Sequence, residues 1–260
     1  MTDAMVPGKQ RRPAMRWIRR GFLLWAAFST LWLANSMRTR GVDAALLRNN
    51  AEVSVVNGAT TLDFSPVAPA DKAALIFICG SGVAAEAYAP LLRPIADAGH
   101  PVFVVKLPYR VALLEAHKRA AVDRALGVVA THLRIPAWVI AGHSLGGALA
   151  CRAAQAEPGV FSGLVLVGTT HPKNDDLSSL PLPVTKVYGS EDGVAPPYRM
   201  FANRRLLPKE TRWVEIKGGN HSQFGHYGRQ LFDGEPAASR EAQQAATRSA
   251  LLEALDEATK

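Results

Sequence analysis

The chain has 260 residues, of which 48% are hydrophobic and 20% charged, and its formal net charge is +8. That length and composition suit a folded protein with one large α/β domain and no need for a second core. Nine Lys/Arg and two Asp fall within residues 1–48, leaving 21 basic and 20 acidic residues for the rest, so the body is near neutral and no nucleic-acid partner is expected.

Residues 1–20 form a basic tail containing Lys9, Arg11, Arg12, Arg16, Arg19 and Arg20. Residues 21–37, GFLLWAAFSTLWLANSM, carry no charge. As a helix they would span about 25 Å, at the short end for a bilayer crossing. Trp17, Trp25 and Trp32 suit membrane interfaces. The excess of preceding basic residues predicts a single-pass anchor with its N-terminus in the cytoplasm and the body on the other side of the membrane. Two alternatives stand beside it. Ala34 and Ser36 suit a signal peptidase, and Arg19-Arg20-Gly21-Phe22-Leu23 resembles a twin-arginine export signal. A buried core helix is disfavoured, because its arginine flanks would have to stay exposed. Residues 38–50 then read as a linker, and the domain proper as 51–260.

Glu52 to Phe64 holds two β-rich runs joined by Asn57-Gly58, a hairpin signal, before the break at Pro66 and Pro69. Strands are predicted at Ala74–Ile78, Pro101–Leu107, Ala137–Gly142, Gly163–Thr169, Pro183–Gly189 and Thr211–Gly218. Helices are predicted at Tyr88–Gly99, Ala112–Leu133, about Leu145–Ala156 and about Ala238–Ala258. Short apolar runs alternating with helices imply a mostly parallel, doubly wound sheet. Cys79 and Cys151 lie in apolar contexts and read as buried free thiols, with a single bridge as the alternative for an exported domain.

The segment Gly142-His143-Ser144-Leu145-Gly146 sits where a predicted strand becomes a helix. Such a turn strains the serine backbone, and the two glycines supply room that a Cβ would fill. Ser144 is therefore the candidate nucleophile. The Leu145 N–H, at the start of the helix, is the candidate oxyanion donor. A serine hydroxyl needs a base. His221 follows the last strand in a loop loosened by Gly218 and Gly219, with His226 as the second candidate. Asp192, just past the strand at Pro183–Gly189, is the candidate acid, with Glu191 as competitor. The loop after Ala74–Ile78 offers the second oxyanion donor, the N–H of Ser81 or failing that of Gly82. No His/Cys/Asp cluster has metal-ligand spacing and no glycine loop carries a Walker lysine, so neither metal nor organic cofactor is expected. The polar stretch HPKNDDLSSLPLP is too short for a cap, which predicts an open site.

These motifs resemble the α/β-hydrolase fold from about Ala51 onward: GHSLGG at 142–147, YGSEDGVA at 188–195 and GGNHSQFGHYG at 218–228. In particular the chain is similar to small membrane-anchored bacterial hydrolases distantly related to dienelactone hydrolase. They resemble it in an N-terminal apolar segment, a YAPLLR helix, a VKxP strand end and an NHxQFGxYG loop. The elbow carries serine where dienelactone hydrolases carry cysteine, and the oxyanion loop carries Cys79-Gly80 in place of His-Gly. The resemblance implies a triad of Ser144, His221 and Asp192 and says little about substrate; the open site suits a small or flexible small-molecule ester, and the N-terminal segment places the chain at the bacterial cytoplasmic membrane. A non-enzymatic ligand-binding module on the same fold and an acyltransferase using the same residues are the alternatives.

Overall fold

The computed structural model describes residues 13–68 and 71–260. The first twelve residues of the basic tail and the predicted break at Pro69 lie outside them. Eight strands form one sheet in the order β1-β2-β4-β3-β5-β6-β7-β8. β1 (Val53–Asn57) and β2 (Thr61–Pro66) pair antiparallel as the hairpin that Asn57-Gly58 predicts, and β2 joins the rest antiparallel to β4 (Val102–Val105). β3 (Ala74–Ile78), β4, β5 (Trp138–His143), β6 (Gly163–Val167), β7 (Val184–Gly189) and β8 (Arg212–Ile216) run parallel. All residues of β3, β4, β5, β6 and β7 are buried, as expected of strands covered on both faces.

The coverage comes from four helices. α2 (Ala89–Asp97) packs against α6 (Arg240–Glu257), and α3 (Glu115–Thr131) packs against α4 (Leu145–Ala156). The chain leaves β3 toward β4 through α2 and returns past β3 to β5 through α3. Right-handed crossovers in opposite directions put these helices on opposite faces. The order therefore reverses at β3 and β5, and a crevice opens at their carboxyl ends. Ile78 pairs with Gly142 there, so the loop after β3 and the turn after β5 emerge side by side. The sequence patterning missed the short helix α5 (Pro197–Ala202). Residues 168–183 between β6 and β7 contain neither helix nor strand.

The N-terminal helix departs from expectation. α1 covers Pro13–Ser36, starting earlier than the apolar run, so Arg16, Arg19 and Arg20 lie inside it. Its uncharged part, 21–36, spans about 24 Å and is diluted by Ser29, Thr30, Asn35 and Ser36. Among the described residues no helix is long and apolar enough to cross a membrane, which corrects the transmembrane anchor expected at 21–37. The core-helix alternative fails as well, because Trp17, Phe22, Leu24, Trp25, Phe28 and Leu31 are exposed. Met37 leaves the helix and packs over Gly82. The stretch beyond it follows the body: the Gly228 N–H donates to Ser36 O at 2.7 Å, the Arg40 N–H to His226 O at 2.9 Å, and Arg93 to Leu46 O and Arg48 O.

Both cysteines are free and buried, and burial pushes the Cys151 thiol up to about 12. A buried cation lies near Cys151. Lys186 on β7 donates to His171 O, and burial pulls its ammonium down to about 8 from the ordinary 10.5. The unfolded chain therefore binds this proton more tightly than the folded one. Below pH 8 the buried charge costs about 3 kcal/mol, and the cost fades as pH rises from about 8 toward 10.5. Lys186→Met is expected to be more stable than the parent at pH 7 by about 2 kcal/mol, with the difference shrinking above pH 8. Denaturant titrations of both proteins at pH 7 and pH 9.5 check this.

Candidate active site

Ser144 sits between β5 and α4 with φ 55° and ψ −116°, a positive φ rarely held by a residue with a side chain. Two close approaches enforce it. A Cβ on Gly142 would lie 2.2 Å from the Gly146 carbonyl, and one on Gly146 would lie 2.0 Å from Ile78 O. Only glycine at both positions lets α4 start against β3 and β5, so the strain is held by backbone contact. The Ser144 N–H donates to Val167 O at 3.0 Å, tying the turn to β6. Leu145 and Gly146 open α4, where N–H groups have no intrahelical acceptor.

Past β7, Asp192 folds into a tight turn. Its Oδ1 accepts from the N–H groups of Val194 (3.0 Å) and Ala195 (2.6 Å). Its Oδ2 accepts from His221 Nδ1 at 2.9 Å, and both side chains are fully buried. With Nδ1 carrying the hydrogen, the lone pair of a neutral ring is on Nε2. Nε2 is buried and has no hydrogen-bond partner among the described residues, the Ser144 hydroxyl included. The structure thus joins Asp192 to His221 and leaves Ser144 on the neighbouring turn without a bond to them. Proximity is seen one residue earlier, where the His143 ring lies 4.6 Å from the His221 ring. Neither alternative residue enters this pair. Glu191 is exposed and accepts from Ser190, while His226 lies beside Gly41.

In the loop after β3, the Gly82 N–H is spent on Arg110 O at 2.8 Å. The Ser81 N–H has no acceptor among the hydrogen bonds of the described residues, and its hydroxyl donates to Val111 O. Of the two backbone donors weighed for this loop, only that of Ser81 is free.

Sequence patterning missed the group that holds the histidine loop. Asp233 is buried; its Oδ1 accepts from His221 N–H (3.0 Å), Gly193 N–H (3.4 Å) and Gly234 N–H (3.0 Å). Its Oδ2 accepts from the N–H (2.8 Å) and hydroxyl (2.6 Å) of Ser222. One carboxylate thus bridges the turn of Asp192 and the turn of His221. Gln243 on α6 adds a second clamp, donating to Asn220 O and accepting from Asn220 N–H. The only advance signal for Asp233 was an Asp-Gly pair, which reads equally well as an ordinary turn.

A family model described as the alpha/beta hydrolase family matches residues 74–245. The chain belongs to this family. Its matched span runs from β3 into α6 and includes every site residue named above. Among solved structures, this alpha/beta hydrolase is similar to Est1E from Butyrivibrio proteoclasticus, at 15% identity and a TM-score of 0.56 over 79% of this chain and 100% of that one. It is also similar to a thermophilic esterase from Thermogutta terrifontis, at 13% identity and a TM-score of 0.59 over 82% and 100%. A thioesterase domain from the curacin biosynthetic pathway matches at 14% identity and a TM-score of 0.57 over 78% and 100%. At these identities the likeness is one of fold. No curated protein matches the sequence.

Proposed function

We propose that this alpha/beta hydrolase is a serine esterase that cleaves a small carboxylic ester through Ser144, His221 and Asp192. The observation that carries the proposal is the fully buried Asp192–His221 pair, whose Nε2 is left unpartnered beside the strained serine turn. Catalytic hydrogen bonds are often open in the absence of substrate and close when it binds.

In the mechanism, Ser144 Oγ attacks the ester carbonyl as His221 Nε2 takes its proton. Asp192 fixes the Nδ1–H tautomer and stabilises the imidazolium. The oxyanion is held by the N–H groups of Leu145 and Ser81. His221 then gives the proton to the leaving alcohol, and the acyl-enzyme is hydrolysed by water activated through the same ring. The absence of helix and strand from residues 168–183 supports a small or flexible ester, since nothing there forms a cap. Two of the fold relatives are named as an esterase and a thioesterase domain.

A fluorophosphonate probe tests the proposal. It is expected to label the native protein once, on Ser144, and to leave Ser144→Ala unlabelled. A native protein that neither takes the label nor hydrolyses p-nitrophenyl acetate would overturn the proposal and favour a ligand-binding module. Ester formation with a competing alcohol would instead mark an acyltransferase.

A further inference from the structure

A buried polar chain beneath the serine turn has no role in the mechanism above. The Gly80 N–H donates to Tyr88 Oη at 3.0 Å, and Tyr88 Oη lies 2.9 Å from His143 Nδ1. Tyr88 and His143 are both fully buried. The backbone N–H can only donate, so the Tyr88 hydroxyl must place its own hydrogen elsewhere. Among the described residues His143 Nδ1 is the one hydrogen-bond partner left for it. That makes Nδ1 the acceptor and puts the hydrogen of His143 on Nε2, which is buried without a hydrogen-bond partner among the described residues. Burial, with His221 alongside, holds the His143 imidazole well below its ordinary range, so the ring is neutral.

The chain ends on the loop that carries the second oxyanion donor. In residues 79–82, the Cys79 N–H is spent on Val105 O (3.1 Å), that of Gly80 on Tyr88 and that of Gly82 on Arg110 O. Only the Ser81 N–H is left over. Tyr88 is the one side chain among these pins, and it holds the peptide next to the free donor. Gly80 has no room for a Cβ, which would meet His143 Nδ1 at 2.8 Å and Tyr88 Oη at 3.1 Å. The far side of His143 packs on the rings of His221 and Phe224. The relay therefore runs from the oxyanion loop to the base.

We propose that Tyr88 and His143 are positioning residues that hold the Ser81 N–H where the oxyanion of the acyl-transfer step forms. This inference rests on the triad assigned above. Removing a whole oxyanion donor costs about 10²–10³ in kcat, and displacing one should cost less.

Tyr88→Phe keeps the ring, which packs on Phe77, and removes both hydrogen bonds. It is expected to lower kcat for p-nitrophenyl acetate about 10- to 100-fold with KM within about twofold, because the oxyanion exists only beyond the ground state. His143→Leu should fall equally far. His143→Asn offers an amide oxygen close to the place of Nδ1 and should keep kcat within about threefold of wild type. In protein labelled at the histidine ring nitrogens, His143 should appear as the Nε2–H tautomer, and Tyr88→Phe should move its Nδ1 resonance. The inference is overturned by a Tyr88→Phe enzyme with wild-type kcat, by His143→Asn no better than His143→Leu, or by an Nδ1–H tautomer at His143. In each of these cases Ser144→Ala would still be inactive. Hydrolysis that survives Ser144→Ala would sink the triad itself, and the positioning role with it.

Discussion

Ser144→Ala is expected to lower kcat for a short p-nitrophenyl ester by about 10⁶-fold while leaving the melting temperature unchanged. The two halves of this result have separate causes. Among the described residues His221 Nε2 has no hydrogen-bond partner, so removing the Ser144 hydroxyl breaks no bond to it. The strained backbone is held by the contacts of Gly142 and Gly146 and by the Ser144 N–H bond to Val167 O, none of which involves the side chain. In the proposed mechanism, activity loses the atom that forms the acyl bond. Asp192→Asn should cost about 10⁴-fold in kcat for a different reason. An amide nitrogen facing Nδ1 favours the opposite tautomer, which puts hydrogen on Nε2 and removes the base. Steady-state kinetics and thermal melts of both variants check this, and a Ser144→Ala enzyme that retains hydrolysis would refute the assignment.

The central fold was legible because its signals are local. β3 and α4 form where apolar runs and small residues call for a buried strand and a tightly packed helix. The serine turn was legible because its steric demand for glycine is written within five residues. Asp192 and His221 could be placed past the ends of β7 and β8, since a parallel sheet brings those ends to one rim. Legibility failed where a residue's role depends on distant chain. Asp233 binds His221 across 12 positions and Gly193 across 40, and nothing near it in sequence marks it as a bridge. Tyr88 meets His143 across 55 positions, and in the sequence it only opens a predicted helix. The N-terminal helix departs from its sequence pattern for a third reason. The uncharged run starts at Gly21, but the helix begins at Pro13 and takes three arginines into its own turns.

Asp233→Ala should be the most damaging substitution outside the proposed triad, because one carboxylate holds both the turn of Asp192 and the turn of His221. Its loss leaves the N–H groups of His221 and Ser222 and the Ser222 hydroxyl without their acceptor in a buried site. Each such group costs about 1–3 kcal/mol, and neighbouring losses overlap. A net destabilisation of about 4 kcal/mol is expected, or roughly 10 °C in Tm for a domain of this size. kcat should fall further than stability alone explains, by about 10²-fold, since His221 and the turn of Asp192 lose the group that fixes their separation. Asp233→Asn keeps one acceptor oxygen but turns a nitrogen toward the donors, so it should lie between alanine and wild type in both measurements. The two readouts separate a local from a global role. If Tm falls while kcat measured well below the transition stays at the wild-type value, Asp233 braces the fold only. If both fall together and the asparagine variant recovers part of each, the carboxylate sets the geometry in which Asp192 and His221 meet.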